Sequence, residues 1–277
     1  MSRTMMEPSA AIFRNPWDLI DLEKYPVADK NSRSYQELVG LCRKQLSELG
    51  AAVLPGFVSK AAVEALAAEA NELAPLAYHS TVEGNPYLTP EDQSLPLEDP
   101  RRMIETTSLG AVAYDQMPEG TLIRKLYEWD GLMEFLAAAL GKDELFRYAD
   151  KMGALNIAVM KDGDYLRWHF DQTDFVVSLL LQDCIAGGAY EFVPMIRNRQ
   201  EENYDAVRRI LKGSRDGVLR LDIAPGSLVL FEGRHALHRV TKIEGEVPRL
   251  IALLGYDTKP GVVSSDHLRY MRYGRNK

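Results

Sequence analysis

The sequence predicts an α+β fold in which helices come first and an antiparallel β-barrel or jelly roll follows. Before residue 150, apolar side chains recur at helical spacing, for example at Leu38, Leu41 and Leu46. After Asp150 the period changes to that of strands, and short β-favouring runs are separated by turn signals such as Pro225-Gly226. Short strands at this spacing are typical of an antiparallel sandwich or barrel.

The chain of 277 residues is long enough to bury a sizeable core, and we interpret it as a single domain. Residues 1–33 form a loosely packed lead-in, 34–149 a helical support, 150–258 the β core and 259–277 a C-terminal tail. Within the support, residues 80–118 are rich in proline and show little periodicity. A loop of this length is usually functional or disordered, so we interpret it as a candidate lid.

Three helices are expected in the support region. The first spans residues 34–49 and stops at Gly50, before a short strand at 51–55. The second begins at the N-cap Ser59 and continues to residue 73, and the third spans residues 119–140.

Seven runs after Asp150 are predicted to be strands, with one helical interruption at residues 203–211. The runs are 154–160, 174–182, 189–193, 218–223, 227–231, 236–241 and 249–256. We therefore expect the β core to contain most of the second half of the chain.

Composition excludes several classes of protein. A net charge of −7 without a long basic stretch argues against nucleic acid as a partner. No apolar run approaches the roughly 20 residues that span a bilayer, so we expect no membrane partner. Residues 1–11 do not resemble a signal peptide, and two cysteines, Cys42 and Cys184, cannot build a disulfide framework. We therefore expect a cytoplasmic protein with both thiols reduced and buried, and we leave a homodimer open.

The segment WHFD at residues 168–171 is the first candidate for chemistry. In an extended strand residues i and i+2 point to the same face, so His169 and Asp171 can present an imidazole nitrogen and a carboxylate to one point. So short a motif also arises by chance, and a lone strand histidine is usually structural.

A second histidine lies on a later predicted strand, at His238. Two histidines and one carboxylate form the facial triad that suits Fe(II) and leaves coordination positions open for a 2-oxo acid and O2. His235 is the alternative ligand, but in a regular strand it would face the opposite side. Arg249 follows on the next predicted strand. A guanidinium there can pair bidentately with a carboxylate, which suits the distal carboxylate of 2-oxoglutarate.

The order HxD, then His, then Arg over residues 150–258 resembles the double-stranded β-helix (jelly-roll, cupin-like) 2-oxoglutarate/Fe(II) dioxygenases. A closer resemblance, to the bacterial free-amino-acid hydroxylases and radical halogenases of the lysine halogenase group, extends over most of the chain. It rests on WHFD at 168–171, LLLQ at 179–182, GGAYEFVP at 187–194, IR at 196–197, ENYD at 202–205 and LHRVT at 237–241.

This resemblance implies that His169, Asp171 and His238 hold Fe(II), that Arg249 binds 2-oxoglutarate, and that O2 is the oxidant. It also implies a small-molecule substrate, a free amino acid. The halogenases replace the carboxylate of HxD by a small residue, which opens a place for chloride. Because this chain keeps Asp171, we expect hydroxylation, with succinate and CO2 as coproducts. Halogenation, desaturation or cyclisation at the same iron, and a carrier-bound or peptide substrate, are the alternatives.

Five further residues are candidates, and four of them have two interpretations each. Asn156 is a candidate for binding 2-oxoglutarate or substrate, or for a hydrogen bond at the sheet rim. Trp168 either shapes the pocket or belongs to the core. Arg101 and Arg102, in the candidate lid, either bind a substrate carboxylate or lie on the surface, and Tyr273 is a candidate for closing the pocket.

Overall fold

The computed structural model describes residues 13–277. Its helices are α1 (Arg33–Leu49), α2 (Lys60–Leu73), α3 (Leu122–Glu128), α4 (Asp130–Ala139), α5 (Tyr204–Leu211) and α6 (Asp266–Tyr273). Its strands are β1 (Ala51–Leu54), β2 (Tyr78–Gly84), β3 (Glu105–Val112), β4 (Phe146–Arg147), β5 (Leu155–Met160), β6 (Leu166–His169), β7 (Val176–Gln182), β8 (Ala186–Gly187), β9 (Tyr190–Val193), β10 (Leu219–Leu221), β11 (Leu228–Phe231), β12 (Leu237–Val240), β13 (Ile243–Glu244), β14 (Arg249–Leu254) and β15 (Tyr256–Asp257). Short 3₁₀ turns cover Pro16–Leu19, Ala74–Leu76 and Tyr114–Gln116.

Two antiparallel sheets form the β core. The larger has seven strands in the order β1-β11-β7-β14-β5-β3-β2, and the smaller has four in the order β10-β9-β12-β6. The short strands pair as β13-β8 and β15-β4. This arrangement confirms the predicted α+β class with an antiparallel sandwich after the helices.

The first two helices begin and end as the sequence predicts. The side chains of Ser32 and Ser59 accept hydrogen bonds from the backbone of the first turn of α1 and α2. Gly50 ends α1 in the left-handed conformation, at φ 67°. Side chains of α1–α4, among them Leu46, Leu66 and Phe135, pack in one apolar cluster with one face of the seven-stranded sheet.

The other face of the seven-stranded sheet is turned towards the four-stranded sheet. In β5, Leu155, Ile157 and Val159 belong to the cluster shared with the helices, whereas Ala158 and Met160 belong to separate clusters between the sheets. Because side chains alternate along a strand, Asn156 shares the inner face with Ala158 and Met160. The interior between the two sheets is therefore the space into which this part of β5 projects.

Four expectations about the helical half and the termini need correction. Residues 80–118 are not all irregular: they include most of β2 and all of β3, which extend the large sheet. The lead-in is not loosely packed over its described part, since Leu19, Tyr25 and Val27 are buried in the main core. Residues 1–12 lie outside the described residues.

The predicted helix over 119–140 is two helices. Trp129 adopts an extended conformation between α3 and α4, and its ring lies so close to Gly131 that a β-carbon there would be 2.3 Å from it. The predicted tail contains a helix, α6. Cys42 is buried but Cys184 is only half-buried, and both are free. Within residues 13–277, no helix combines the length and apolar composition needed to cross a bilayer.

Candidate metal centre

The structure brings His169, Asp171 and His238 to one point. His169 ends β6 and lies directly opposite His238 of β12, with the ring centroids 4.1 Å apart. The Asp171 carboxylate lies 3.6 Å from Nε2 of each histidine. One ligand atom from each residue falls within 4.8 Å of the others. Neighbouring ligand atoms on an octahedral ion with bonds of roughly 2.1 Å are about 3 Å apart, so this cluster has the size of a metal site.

The hydrogen bonds of the two imidazoles fit a metal. Nδ1 of His169 lies 3.0 Å from the carbonyl oxygen of Arg167, and Nδ1 of His238 lies 2.9 Å from that of Ala236. A carbonyl only accepts, so each Nδ1–H donates, and in the neutral imidazole each Nε2 then keeps its lone pair. Both Nε2 atoms face the Asp171 carboxylate. This tautomer is the one that metal-binding histidines adopt.

A tight turn around Gly233 holds the carboxylate in place. The amide of Asp171 donates to the carbonyl of Gly233 at 3.0 Å, and a β-carbon on Gly233 would lie 1.7 Å from Oδ2 of Asp171. The Arg234 side chain then pairs with Asp174 at 2.5 Å and donates to the carbonyl of Gln172. The space beside Gly233 is therefore filled by the aspartate side chain.

The charges of the site favour an ionised aspartate between the two imidazoles. Burial, reinforced by His238, lowers the pKa of His169. Burial alone would raise the pKa of Asp171, but His238 and His169 outweigh it and hold that pKa well below its usual range. The ring of Phe231 meets His238 edge-on at 4.8 Å and Tyr190 stacks on it at 5.7 Å, so aromatic side chains cover this imidazole.

Arg249 lies at the beginning of β14, opposite Met160, and is 2% exposed. Among residues 13–277, the only acidic group within 4.0 Å of its guanidinium is Asp183, at 3.9 Å. Burial lowers the pKa of Arg249. Arg249 and Tyr190 both line a small cavity of about 70 Å³. Tyr190 therefore lies between the imidazole of His238, on which it stacks, and the buried guanidinium of Arg249.

Two of the softer predictions lie on the inner wall. The Oδ1 of Asn156, which is 7% exposed, accepts a hydrogen bond from Nη2 of Arg272 at 3.0 Å. Tyr273 is buried in a cluster with Ala111, Ala113 and Met152, at the end of the large sheet where β5 begins.

The structure does not bring the other three to the metal centre. Trp168 lies on the outer face of the small sheet, in the cluster of Phe170 and Leu237, with the Arg239 guanidinium 4.7 Å above its ring. It lines an open groove of about 630 Å³ along β3, β6 and β12 that no triad residue lines. Arg101 and Arg102 instead form ion pairs within the candidate lid, Arg101 with Asp99 and Arg102 with Glu91.

His235 is not part of the cluster. It lies in the turn before β12, and its Nδ1 is buried without a hydrogen-bond partner among the described residues. Sequence reasoning missed Tyr190 and Arg272. Tyr190 falls within GGAYEFVP, so its position could have been suspected; Arg272 carried no signal.

Solved structures of low sequence identity share the fold. AviO1 from Streptomyces viridochromogenes Tue57 superposes with a TM-score of 0.54 at 16% identity, over 82% of this chain and 97% of its own. An oxidoreductase of the 2OG-Fe(II) oxygenase family from Burkholderia pseudomallei gives 0.51 at 16%, over 81% and 92%. The epimerase SnoN, in complex with Fe3+, alpha ketoglutarate and nogalamycin RO, gives 0.52 at 14%, over 80% and 84%. These likenesses confirm the double-stranded β-helix predicted from the sequence.

Sequence comparison is more specific about the family. No curated protein matches the chain. A family model described as Halogenase D matches residues 35–267, a range that includes the three clustered side chains and Arg249. Since that match spans well over half of the chain, the protein belongs to the Halogenase D family.

Proposed function

We propose that this protein is an Fe(II)- and 2-oxoglutarate-dependent oxygenase that hydroxylates an unactivated C–H bond of a small molecule, a free amino acid. The observation that carries the proposal is the convergence of two imidazole Nε2 atoms and one ionised carboxylate, with both Nδ1–H groups tied to carbonyl oxygens. This donor set suits Fe(II) and leaves positions for a 2-oxo acid and O2.

His169, Asp171 and His238 would hold the metal, and Arg249 would bind the distal carboxylate of 2-oxoglutarate. Support for the second assignment is the burial of Arg249 with no carboxylate of residues 13–277 closer than 3.9 Å, since a buried cation without a partner is costly. Bound there, Fe(II) with 2-oxoglutarate and O2 would supply the oxidising power for C–H hydroxylation, with release of succinate and CO2.

The remaining contribution of the protein is orientation and exclusion of water. Between the sheets, Ala158, Leu180 and Ile251 form an apolar wall, and Phe231 and Tyr190 cover His238. An apolar lining lets an unactivated C–H bond approach while water is kept out. Tyr273, with its buried ring on this side of the site, would form part of the substrate wall.

Hydroxylation is favoured over halogenation by the space around Asp171. In a halogenase of this group a small residue replaces the carboxylate, and a halide takes its place at the metal. Here the carboxylate fills the gap beside Gly233, and its backbone amide is held by the Gly233 carbonyl. Desaturation and cyclisation use the same metal centre and would be recognised by their products.

The test is succinate formation by anaerobically Fe(II)-loaded protein given 2-oxoglutarate, O2 and each of the free L-amino acids, with product masses recorded. We expect one amino acid to stimulate succinate formation and to gain one oxygen atom. His238→Ala should abolish turnover, whereas His267→Ala, the same change at an exposed histidine, should not. A chlorinated product, or turnover that survives His238→Ala, would contradict the proposal.

A further inference from the structure

Helix α6 brings a cation to the inner wall that the sequence did not predict. The side chain of Ser265 caps its first turn, accepting from the amide of Leu268 at 3.2 Å. Arg269 pairs with the buried carboxylate of Asp150 at 3.2 Å. That carboxylate also accepts from the amides of Met152 at 3.0 Å and Ser264 at 2.8 Å. The helix is thereby fixed against the residues that lead into β5.

Arg272 lies in the last turn of this helix and differs from its neighbours in charge pairing. Arg269 and Arg275 each have an aspartate partner, Asp150 and Asp115. Within residues 13–277, no carboxylate lies within 4.0 Å of the Arg272 guanidinium. Its Nη2 donates to Oδ1 of Asn156 at 3.0 Å, and its Nε is buried with no hydrogen-bond partner among these residues. A buried donor left unsatisfied on a cation is costly, so this group is suited to an anionic ligand.

The Asn156–Arg272 pair faces the triad. β5 and β6 are consecutive strands on facing sheets, and at their connection Met160 and Leu166 pack in one cluster. Asn156 lies four residues before Met160 and His169 three residues after Leu166, so both are roughly 10–13 Å from that connection at a rise of about 3.4 Å per residue. The two residues therefore lie at the same level, on sheets about 10 Å apart.

An anion bound at Arg272 would be a different one from the carboxylate proposed to bind at Arg249. Asn156 pairs with Leu253 in β14, and Arg249 lies four residues earlier in the same strand, or about 13 Å away. One molecule of 2-oxoglutarate chelated to the metal and anchored at Arg249 leaves Arg272 for a second carboxylate.

We propose that Arg272, positioned by the Asn156 side chain, binds the carboxylate of the substrate, an assignment that rests on the oxygenase function proposed above. A guanidinium with a free Nε–H can pair with a carboxylate through parallel hydrogen bonds. Asn156 is then a positioning residue for the guanidinium. The substrate class is an amino acid with a free carboxylate, since an amide or a peptide bond would leave the cation without its charge partner.

The experiment measures equilibrium binding without turnover. The Fe(II)·2-oxoglutarate complex is prepared anaerobically, and the shift of its charge-transfer absorption is titrated with the free L-amino acids and with their primary amides. We expect at least one acid to bind and its amide to bind roughly 10- to 100-fold more weakly, as for a lost charged hydrogen bond. In Arg272→Gln the affinity for the acid should fall by the same factor, while the affinity for the amide should stay unchanged.

Two further variants separate recognition from structure. Asn156→Asp keeps the size of the side chain but places a carboxylate beside the guanidinium of Arg272 and so balances its charge. The variant should bind the acid more weakly and the amide as well as the wild type does. Arg275→Gln removes an arginine three residues away and should match the wild type.

Equal binding of acid and amide to the wild type, or parallel losses for both in Arg272→Gln, would overturn the assignment. A loss of 2-oxoglutarate affinity in Arg272→Gln with unchanged amino-acid binding would also overturn it, as would a complex to which no amino acid binds. Failure of the charge-transfer band itself to form would instead overturn the oxygenase function.

Discussion

At the scale of single residues, the candidate metal centre depends on backbone groups as much as on its three side chains. The carbonyl oxygens of Arg167 and Ala236 fix the tautomers of His169 and His238, because each accepts the Nδ1–H of the imidazole two residues later. A strand that ended earlier or shifted in register would lose both the ligand and the group that orients it.

Gly233 is the residue whose side chain must be absent. Gly233→Ala places a β-carbon 1.7 Å from Oδ2 of Asp171, so we expect the carboxylate to move and the affinity for Co(II) to fall roughly 10- to 100-fold. Equilibrium metal titration measures this. Gly120→Ala is the control, because a β-carbon at Gly120 meets nothing within 4 Å. Equal Co(II) affinity in the two variants would show that the turn does not position Asp171.

The triad was predictable because its chemistry lies in residue type and strand alternation, which the sequence displays at His169 and Asp171. Arg272 was not predictable in the same way. It is one of many charged residues in the tail, and its role depends on a contact with Asn156, 116 residues away in the chain. Trp168 was a candidate for the pocket because it precedes His169 in the motif. Side chains alternate along β6, so the strand that directs His169 inward directs Trp168 to the outer face of the sheet.

At the scale of elements, α6 depends on one buried carboxylate. The backbone amides around Asp150 outweigh its burial and hold its pKa at about 2. The carboxylate is ionised and accepts from two backbone amides and from Arg269. The position of Arg272 therefore depends on a group at the beginning of the β core.

Asp150→Asn should lower the free energy of unfolding by about 2 kcal/mol at pH 7, because one acceptor and one charge are lost. The folded-state pKa is below the unfolded value, so this stabilisation is present above the unfolded pKa of about 3.9 and is lost as the pH falls towards about 2. Urea unfolding at several pH values should show a constant difference from wild type between pH 8 and 5 that narrows below about pH 4. Asp266→Asn, at an exposed aspartate of the same helix, should differ little from wild type. A difference unchanged at low pH would exclude this origin.

The segment between β2 and β3 is held by Asn85, which is fully buried. Its side chain donates to the carbonyls of Thr89 and Arg101, both at 2.8 Å, and accepts from the amide of Tyr87 at 3.0 Å. Asn85→Ala should therefore raise hydrogen exchange across residues 86–104 more than elsewhere, as measured by mass spectrometry. Asn71→Ala, at an exposed position of α2, is the control. Uniform exchange in both variants would show that Asn85 does not close this segment.

Seven strands of the core were predicted closely because their apolar runs are bounded by turn residues, as at β11 and β12, whereas β6 was not among the predicted runs. β2 and β3 were missed because Tyr78–Gly84 is exposed or half-exposed along its length and lacks the apolar alternation of a buried strand. The break between α3 and α4 was missed because apolar residues keep helical spacing across Trp129. The contact of its ring with Gly131 is tertiary information.

At the scale of the whole molecule, the proposed ligands join the two sheets. The histidines belong to β6 and β12 of the small sheet, whereas Arg249 belongs to β14 of the large one. A metal alone would bind to the small sheet and the loop of Asp171. 2-Oxoglutarate bound to that metal and to Arg249 would connect both sheets. The metal and then 2-oxoglutarate should therefore each add to the stability of the fold.

Thermal unfolding with Mn(II) tests this connection without turnover. Each ligand at 100 times its dissociation constant contributes about 2.7 kcal/mol, which raises the Tm of a protein of this size by roughly 5–10 °C. Wild-type protein should show one increase with Mn(II) and a second when 2-oxoglutarate is added, and chelation of the metal should reverse both. Arg249→Gln should keep the first increase and lose the second, whereas His238→Ala should lose both. If 2-oxoglutarate stabilised the metal-free protein as strongly as the Mn(II) form, its binding would not depend on the metal. 2-Oxoglutarate would then have to connect the two sheets through protein side chains alone.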